Sequence, residues 1–396
     1  MPDPPDVPPG SPHRRVRRRS RPGRWIRTIL AAGFLLLLLD GGAMTGLLAP
    51  SSGTLDASGC PTGVSISGAG ASFLLPLVAE WTVAFEAGTG NPVDYNGNGA
   101  GAGITELRRS TVDFAATDEP PSPPDASLVT LPIAGGALAI IYDLPGLAAP
   151  LHLSGPLLAG IYEGSIRSWN DPRIAALNPG ETLANAQIVT VHRSDAAGTT
   201  YVLTDLLSRD SPTWAAGPGR GISIGWPSAP TQEAIPKNAG LAEFVARTPY
   251  AVGYADLTDV LGTPGLAVAA LENPSGAFVL PTLASAGSAI SDLVAQTSFP
   301  AATGDWSNVS MVNAPGPGDY PLATLAYFLV PAELDRGFAP SSGRALALVE
   351  WIAWTIENGA RYATMLDYVG LPSSLTALDV AALASITFGG AAVRVC

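Results

Sequence analysis

The sequence contains little cysteine and little histidine, with two and three residues respectively among 396. Neither cysteine lies near a histidine in the chain, so the sequence gives no support for a metal site or a catalytic thiol. The histidines are His13, His152 and His192, and none of them belongs to a recognisable nucleophile–base pair. An exported hydrolase is therefore disfavoured, and we expect no enzymatic activity, no metal and no cofactor.

Charged residues are also scarce, at 14% of the chain, and they are unevenly placed. Eight of the 21 basic residues are arginines within 14–27, so the chain from Gly41 onward carries 13 basic and 30 acidic residues, a net charge of about −17. Such an acidic body is not expected to bind nucleic acid or an anionic membrane surface. A small anionic ligand is not excluded, because local hydrogen-bond donors decide its binding.

The N-terminal segment has the order of an export signal. Residues 1–28 form a basic, proline-rich leader, and an uncharged apolar run from Ile29 to Leu39 follows directly. Region 29–48 is either the apolar core of a signal peptide or an uncleaved membrane anchor, and the sequence leaves both alternatives open. In either case the arginines stay inside and the rest of the chain is exported, to the cell surface or a periplasm-like space, with 49–62 as a tether.

The two cysteines stand at opposite ends of the exported body. Cys60 lies near its start, and Cys396 is the last residue of the sequence. In an oxidising compartment a disulfide between them is the natural expectation. The alternative is two unpaired thiols.

The body alternates strand-like and helix-like segments, which is typical of an α/β fold. Four apolar residues from Leu74 to Phe85, at i, i+4, i+7 and i+11, predict an amphipathic helix over 74–87. A long helix is predicted around 346–356, ended by Asn358-Gly359. The other predicted elements are strands at 64–67, 93–95, 113–116, 137–142, 188–191, 251–254 and 322–330, and helices at 104–109 and 199–207.

Three glycine-rich segments offer backbone N–H groups between a predicted strand and a predicted helix. They are 67–73, 97–103 with Asp118 beyond it, and 193–199. Helix starts present free N–H groups and a partial positive charge, so they suit an anion. Arg193 adds a cation, and Asp195 can fix its guanidinium by a salt bridge. We interpret the three segments as the walls of one cage for a small, dehydrated anion.

Plainer interpretations of these segments remain open: ordinary helix caps and a surface Arg–Asp pair. Gly97, Gly99 and Ala102, with Asp118 at 21 residues from Gly97, also fit a dinucleotide fingerprint weakly, although an exported protein rarely meets nicotinamide cofactors. Asp118 can instead accept a hydrogen bond from a protonated oxyanion and repel a fully deprotonated one. That property would let a site bind phosphate and refuse sulfate.

In their order along the chain, these segments resemble the substrate-binding component of the high-affinity phosphate ABC transporter. The resemblance covers roughly residues 62–380 and rests on GAGASF, TVDFAATD, HRSDAAGTT and the stretches 161–180, 305–311, 320–330 and 349–372. It implies a bilobal type II solute-binding fold, with two α/β lobes joined by a two-segment hinge. Lobe one would take 62–142 and 316–396, lobe two would take 143–315, and the lobes would close over the ligand.

The resemblance also implies which positions bind phosphate. They are Ser72, Phe73, Ala100, Asp118, Arg193, Asp195, Ala197, Gly198 and Thr199. Ala100 and Ala197 stand where the family commonly has serines, so two hydroxyl donors are missing. A hydrogen bond to a charged group contributes roughly 1.5–3 kcal/mol, so the affinity would fall by roughly a hundredfold or more unless other donors compensate.

We therefore expect extracytoplasmic binding of inorganic phosphate and its delivery to an ABC permease in the membrane. The alternative is a cell-surface protein on the same fold, serving adhesion, sensing or assembly, with degenerate or altered oxyanion binding. Ala100, Ala197 and the possible anchor favour that alternative.

Overall fold

The computed structural model describes residues 54–55, 59–147 and 149–395. The leader 1–28, the apolar segment 29–48 and Cys396 lie outside the described residues, so the signal or anchor and the disulfide with Cys60 stay predictions. Within the described part of the chain, no helix combines the length and the apolar character needed to cross a membrane.

Strands and helices alternate along the described chain, which confirms the predicted α/β class. The helices are α1 (Leu75–Thr89), α2 (Ala100–Arg108), α3 (Gly155–Tyr162), α4 (Pro172–Leu177), α5 (Gly198–Asp210), α6 (Pro212–Ala216), α7 (Asn238–Arg247), α8 (Leu257–Gly262), α9 (Leu283–Gln296), α10 (Ser342–Met365) and α11 (Ser373–Ala382). The strands are β1 (Thr54–Leu55), β2 (Pro61–Thr62), β3 (Ile66–Gly70), β4 (Val93–Asn96), β5 (Phe114–Thr117), β6 (Leu128–Tyr142), β7 (His152–Leu153), β8 (Val189–Arg193), β9 (Gln232–Ile235), β10 (Ala251–Asp256), β11 (Ala267–Val268), β12 (Ala270–Glu272), β13 (Phe278–Val279), β14 (Ala323–Pro331), β15 (Thr387–Phe388) and β16 (Ala391–Ala392).

One large sheet organises the molecule, with strand order β4-β3-β5-β14-β6-β10-β8-β9 and β11 also paired with β6. Strand β6 is longer than the predicted 137–142. Its first part, up to Ala137, pairs with β14, and its last part, from Leu138, pairs with β10. The flanking groups β4-β3-β5 and β10-β8-β9 are parallel. Two antiparallel strands, β14 and β6, thus lie between the two parallel groups and join them into one sheet.

Helix α1 packs against α10, and the apolar stripe predicted for it is confirmed. Trp81 and Phe85 are fully buried, and Trp81 lies edge-on to Trp351 at 6.4 Å. The predicted end of the long helix at Asn358-Gly359 is wrong, because α10 continues to Met365. A side chain at Gly359 would meet the Trp81 indole at 2.8 Å, and the indole N–H donates to the Gly359 carbonyl. The glycine therefore allows a close approach of two helices instead of ending one.

Apolar residues gather in two large clusters, one on each part of the sheet. Buried Leu158 and Leu206 belong to the cluster around β8 and β10, and Leu77 and Ile352 belong to the one around β3 and β14. A third cluster joins Ile290 of α9 to residues of β14. The predicted lobe boundary at 315 cuts through this third cluster, and the two-lobe division stays a prediction.

Candidate anion-binding site

The candidate residues lie where strands of the central sheet end. Strands β3, β5 and β8 stop at Gly70, Thr117 and Arg193, and the segments that follow carry Ser72, Asp118 and Asp195. Ligands of open α/β sheets bind outside the carboxyl ends of strands, where loops and helix starts meet. The fold therefore delivers residues from distant parts of the sequence to one place.

Arg193 is the cation of this site, and the protein holds it firmly. Only 4% of its surface is exposed. Its Nε donates to Oδ1 of Asp195 at 2.8 Å, and its Nη2 donates to Oδ2 at 2.5 Å. Burial alone would raise the pKa of Asp195, but the Arg193 hydrogen bonds hold it below its ordinary value. The predicted Arg–Asp pair is therefore a fork between a buried arginine and a half-buried aspartate, in which Asp195 neutralises and orients the guanidinium.

The start of α5 lies beside Arg193. Thr200 and Tyr201 donate to the Ala197 carbonyl, so Gly198 and Thr199 precede the first intrahelical bond, as first-turn amides do. The hydroxyl of Thr199 accepts from Nη1 of Arg193 at 3.2 Å. The Ala197 amide donates to the Ile222 carbonyl at 2.9 Å, so it is already engaged.

Asp118 faces the start of α5 from the end of β5. A methyl group added at Gly198 would lie 2.4 Å from Oδ2 of Asp118, so only glycine leaves room for the carboxyl group. Asp118 is 4% exposed, and its Oδ1 has no hydrogen-bond partner among the described residues. Burial raises the pKa of Asp118 to about 7, although the Arg193 guanidinium draws it downward. The site thus contains a carboxyl group that can hold or release a proton near neutral pH.

The first two glycine-rich segments contact each other and the third. The Ala71 amide donates to the Ala116 carbonyl, and the Gly99 amide donates to the Gly70 carbonyl, both at 2.8 Å. Helix α2 begins at Ala100, inside the glycine-rich stretch and earlier than predicted, because Gly99 caps it with a φ of 105° that favours glycine. The Gly101 amide reaches the Ala196 carbonyl at 3.3 Å. All three predicted walls therefore meet.

Ser72 and Phe73 form a short 3-10 turn before α1. The Tyr95 hydroxyl donates to the carbonyl of Ala71 at 2.7 Å, and the Tyr368 hydroxyl donates to that of Phe73. These bonds fix the carbonyl side of the turn, so the two tyrosines, of which Tyr368 is buried and Tyr95 half-buried, set its backbone conformation.

Three further polar residues reach Arg193 or its neighbours, and the sequence prediction missed them. Asn238 and Asp256 form a hydrogen-bonded chain from the guanidinium, and the Tyr254 hydroxyl accepts from the Arg193 amide at 3.0 Å. Asn238 starts α7, and Asp256 ends β10. Their positions at a helix start and a strand end were the available signal. The sequence prediction considered glycine-rich segments, and neither Asn238 nor Asp256 lies in one of the three.

Helix α5 is anchored at its middle by Asp205, which is 2% exposed. Its carboxylate accepts from Arg220 at 3.0 Å and from the Ser310 hydroxyl at 2.5 Å. Ser310 belongs to the segment whose neighbours Val309 and Met311 pack with β14. The helix that begins at the site is thus tied to both parts of the sheet.

Comparison with known proteins agrees with this architecture. The PBP superfamily domain model matches residues 50–357. The phosphate-binding protein PstS of Xylella fastidiosa (strain Temecula1) is 34% identical over 321 residues, which cover 79% of this chain and 83% of that protein. The chain belongs to the PstS family of the PBP superfamily. The PstS protein of Haemophilus influenzae is 35% identical over 315 residues, covering 78% of this chain and 90% of that protein.

A solved PBP relative confirms the type II fold. PfluDING, a high-affinity periplasmic phosphate-binding protein solved with phosphate at pH 8.5, superposes with a TM-score of 0.62. The match covers 80% of this chain and 93% of PfluDING, at 20% sequence identity. At that identity the likeness shows the fold alone.

Proposed function

We propose that the protein binds inorganic phosphate outside the cytoplasm and delivers it to an ABC permease in the membrane. The observation that carries the proposal is that three separate segments contact one another, one of them carrying buried Arg193, and that Asp118 lies against the start of α5. Named homologues of the chain are phosphate-binding proteins, and the family binds solutes instead of transforming them. We propose no covalent chemistry for this chain.

The proposed ligand set is the one that the sequence predicted, with one change. Arg193 and the first-turn amides of α5 would hold the anion from one side, and Ser72, Phe73 and Ala100 from the other. The Ala197 amide donates to Ile222 in this structure, so it is not available as a donor. Because Ala100 and Ala197 also lack hydroxyl groups, the proposed affinity is weaker than that of a site with serines there.

Asp118 would select the protonation state of the anion. Its carboxylate form can accept a hydrogen bond from monohydrogen phosphate, whereas sulfate at neutral pH has no proton to give. In the ionised form of Asp118, which prevails above its pKa of about 7, sulfate would meet an uncompensated buried carboxylate, which opposes binding. This gives the proposed site its preference for phosphate over sulfate.

The alternative function is a cell-surface role in adhesion, sensing or assembly without transport. The engaged Ala197 amide and the two missing hydroxyls favour it, because they remove donors from the proposed anion site. The alternative predicts weak or absent phosphate binding, so one experiment separates the two.

Isothermal titration calorimetry of the protein with phosphate, arsenate and sulfate tests the proposal. We expect one bound phosphate per chain, similar binding of arsenate and much weaker binding of sulfate. Arg193→Ala removes the buried cation and should weaken phosphate binding by about a hundredfold or more. Arg336→Ala is the matched control, because the Arg336 side chain is 88% exposed. Equal affinities for phosphate and sulfate, or no binding of either, would contradict the proposed function.

A further inference from the structure

Asn238 lies between the cation of the site and a fully buried aspartate. Its Oδ1 accepts from Nη1 of Arg193 and from the Thr199 hydroxyl, the latter at 3.1 Å. Its Nδ2 donates to Oδ2 of Asp256. Asn238 is 2% exposed and Asp256 is 0% exposed, so the whole chain of contacts is shielded from water.

The neighbours of Asn238 select one orientation of its carboxamide. A guanidinium can only donate hydrogen bonds, so the carboxamide oxygen must face Arg193. The amide nitrogen then faces Asp256, whose carboxyl oxygen can accept from it. A reversed carboxamide would place N–H groups against the N–H groups of Arg193. Asp256 therefore keeps the oxygen of Asn238 on the guanidinium.

Asn238 completes the restraint of the guanidinium that Asp195 begins. Of the five N–H donors of an arginine side chain, Asp195 takes one on Nε and one on Nη2. The two on Nη1 go to Asn238 and to Thr199, the contact to Thr199 being the longer at 3.2 Å. Hydrogen bonds thus hold the guanidinium both at its Nε and Nη2 side and at Nη1. These four contacts leave one donor on Nη2 for an anion.

We propose that Asn238 and Asp256 are positioning residues of the anion site: Asp256 orients the Asn238 carboxamide, and the carboxamide oxygen fixes Nη1 of Arg193 for the anion. Neither residue touches the anion itself. This inference rests on the proposed function, because it concerns the same site. It adds two residues that lie outside the three glycine-rich segments.

Asp256 serves Asn238 as a hydrogen-bond acceptor, and that role does not require a negative charge. Its Oδ1 has no partner among the described residues, which leaves a carboxylate poorly compensated there. Burial raises its pKa well above the ordinary value, and Asp118 and Asp259 add to the rise against the opposing effect of Arg193. A neutral carboxyl group still offers a carbonyl oxygen to Asn238. An asparagine at 256 offers the same oxygen.

Phosphate titrations of five variants test the proposal. Asn238→Ala and Asp256→Ala each remove a link and should weaken phosphate binding by about ten- to a hundredfold. Asp256→Asn keeps the acceptor and should stay within about threefold of wild type. The double variant Asn238→Ala/Asp256→Ala should bind phosphate no more weakly than Asn238→Ala alone, because both substitutions interrupt the same chain of hydrogen bonds to Arg193. Asn308→Ala, at an exposed asparagine, is the control and should bind as wild type does.

The outcomes separate this inference from the proposed function. If wild-type protein binds no phosphate, both fail together. If wild type binds and Asn238→Ala binds as tightly or more tightly, only the positioning role is overturned. Asp256→Asn as weak as Asp256→Ala would also overturn it, because charge and not the acceptor would then matter. Near-UV circular dichroism checks the fold, and should Asn238→Ala fail to fold, the comparison of the two Asp256 variants still decides.

Discussion

At the scale of single residues, the proton on Asp118 links the folding of the protein to its proposed selectivity. The carboxyl group has an ordinary pKa of 3.8, and burial raises it to about 7 in the folded protein. A carboxyl group of this kind holds its proton more tightly when folded. Its contribution to stability is fully present below the unfolded pKa and is lost as the pH rises through the folded one.

Replacement of Asp118 by asparagine should remove this part of the pH dependence of stability. Between pH 4 and pH 8, the free energy of unfolding of wild type should fall relative to Asp118→Asn by up to about 4 kcal/mol. Urea unfolding at several pH values in phosphate-free buffer measures the difference. Asp94→Asn, at an exposed aspartate, serves as the control. Parallel stability curves for wild type and Asp118→Asn would contradict the assigned pKa shift.

The sequence predicted that the three segments would meet, but not all the residues that hold them together. Arg193 and Asp195 are two residues apart, so their pairing follows from local geometry. Asn238 is 45 residues beyond Arg193, and its contact depends on how α7 packs beside β8. The engaged amide of Ala197 also depends on a distant residue, Ile222. Contacts of this kind arise from tertiary packing, which glycine patterns and helix starts do not encode.

At the scale of elements, the start of α5 and the end of β5 fit together through the missing side chain of Gly198. A methyl group there would lie 2.4 Å from the Asp118 carboxyl oxygen and 2.5 Å from its Cβ. Both distances are far below van der Waals contact, so one of the two elements would have to move. The first-turn amides of α5 would move with the helix.

Gly198→Ala should therefore lower phosphate affinity by about a hundredfold or more, measured by calorimetry, because the amides and Asp118 no longer approach together. Gly343→Ala is a matched control, since Gly343 also lies in the first turn of a helix and its added methyl group meets no atom within 4 Å. We expect wild-type affinity from this control. Affinity of Gly198→Ala within about threefold of wild type would show that the close approach is not needed for binding.

Element types were easier to predict than element ends. The apolar stripe of α1 follows from helical periodicity, and its residues are buried as expected. The predicted end of α10 was wrong because Gly359 allows Trp81 to pack closely against the helix, a contact that the local sequence does not reveal. The start of β6 was also missed. Its first part contains Pro132 and two glycines, which weaken a local strand signal although pairing with β14 stabilises it.

At the scale of the whole molecule, the acidic net charge of the chain does not decide whether the proposed site binds an anion. The net charge of the full chain is −12, whereas the proposed site contains the buried cation Arg193. A dehydrated anion is held by short-range donors in a buried place, where neighbouring water and surface charge have little influence. The fold class could be predicted because ordered motifs span most of the chain. The lobe boundaries could not be derived from those motifs, because β6 and the α9 cluster join both parts of the sheet.

The central claim is that one tetrahedral anion binds where the three segments meet. A crystal structure of the protein grown with arsenate tests it most directly, because the anomalous signal of arsenic locates the anion without assumptions. The account predicts a single site within about 3 Å of the Arg193 guanidinium and the Gly198 and Thr199 amides, with Asp118 in contact. Arsenic bound elsewhere with this place empty, or no arsenic at a saturating concentration, would contradict the account.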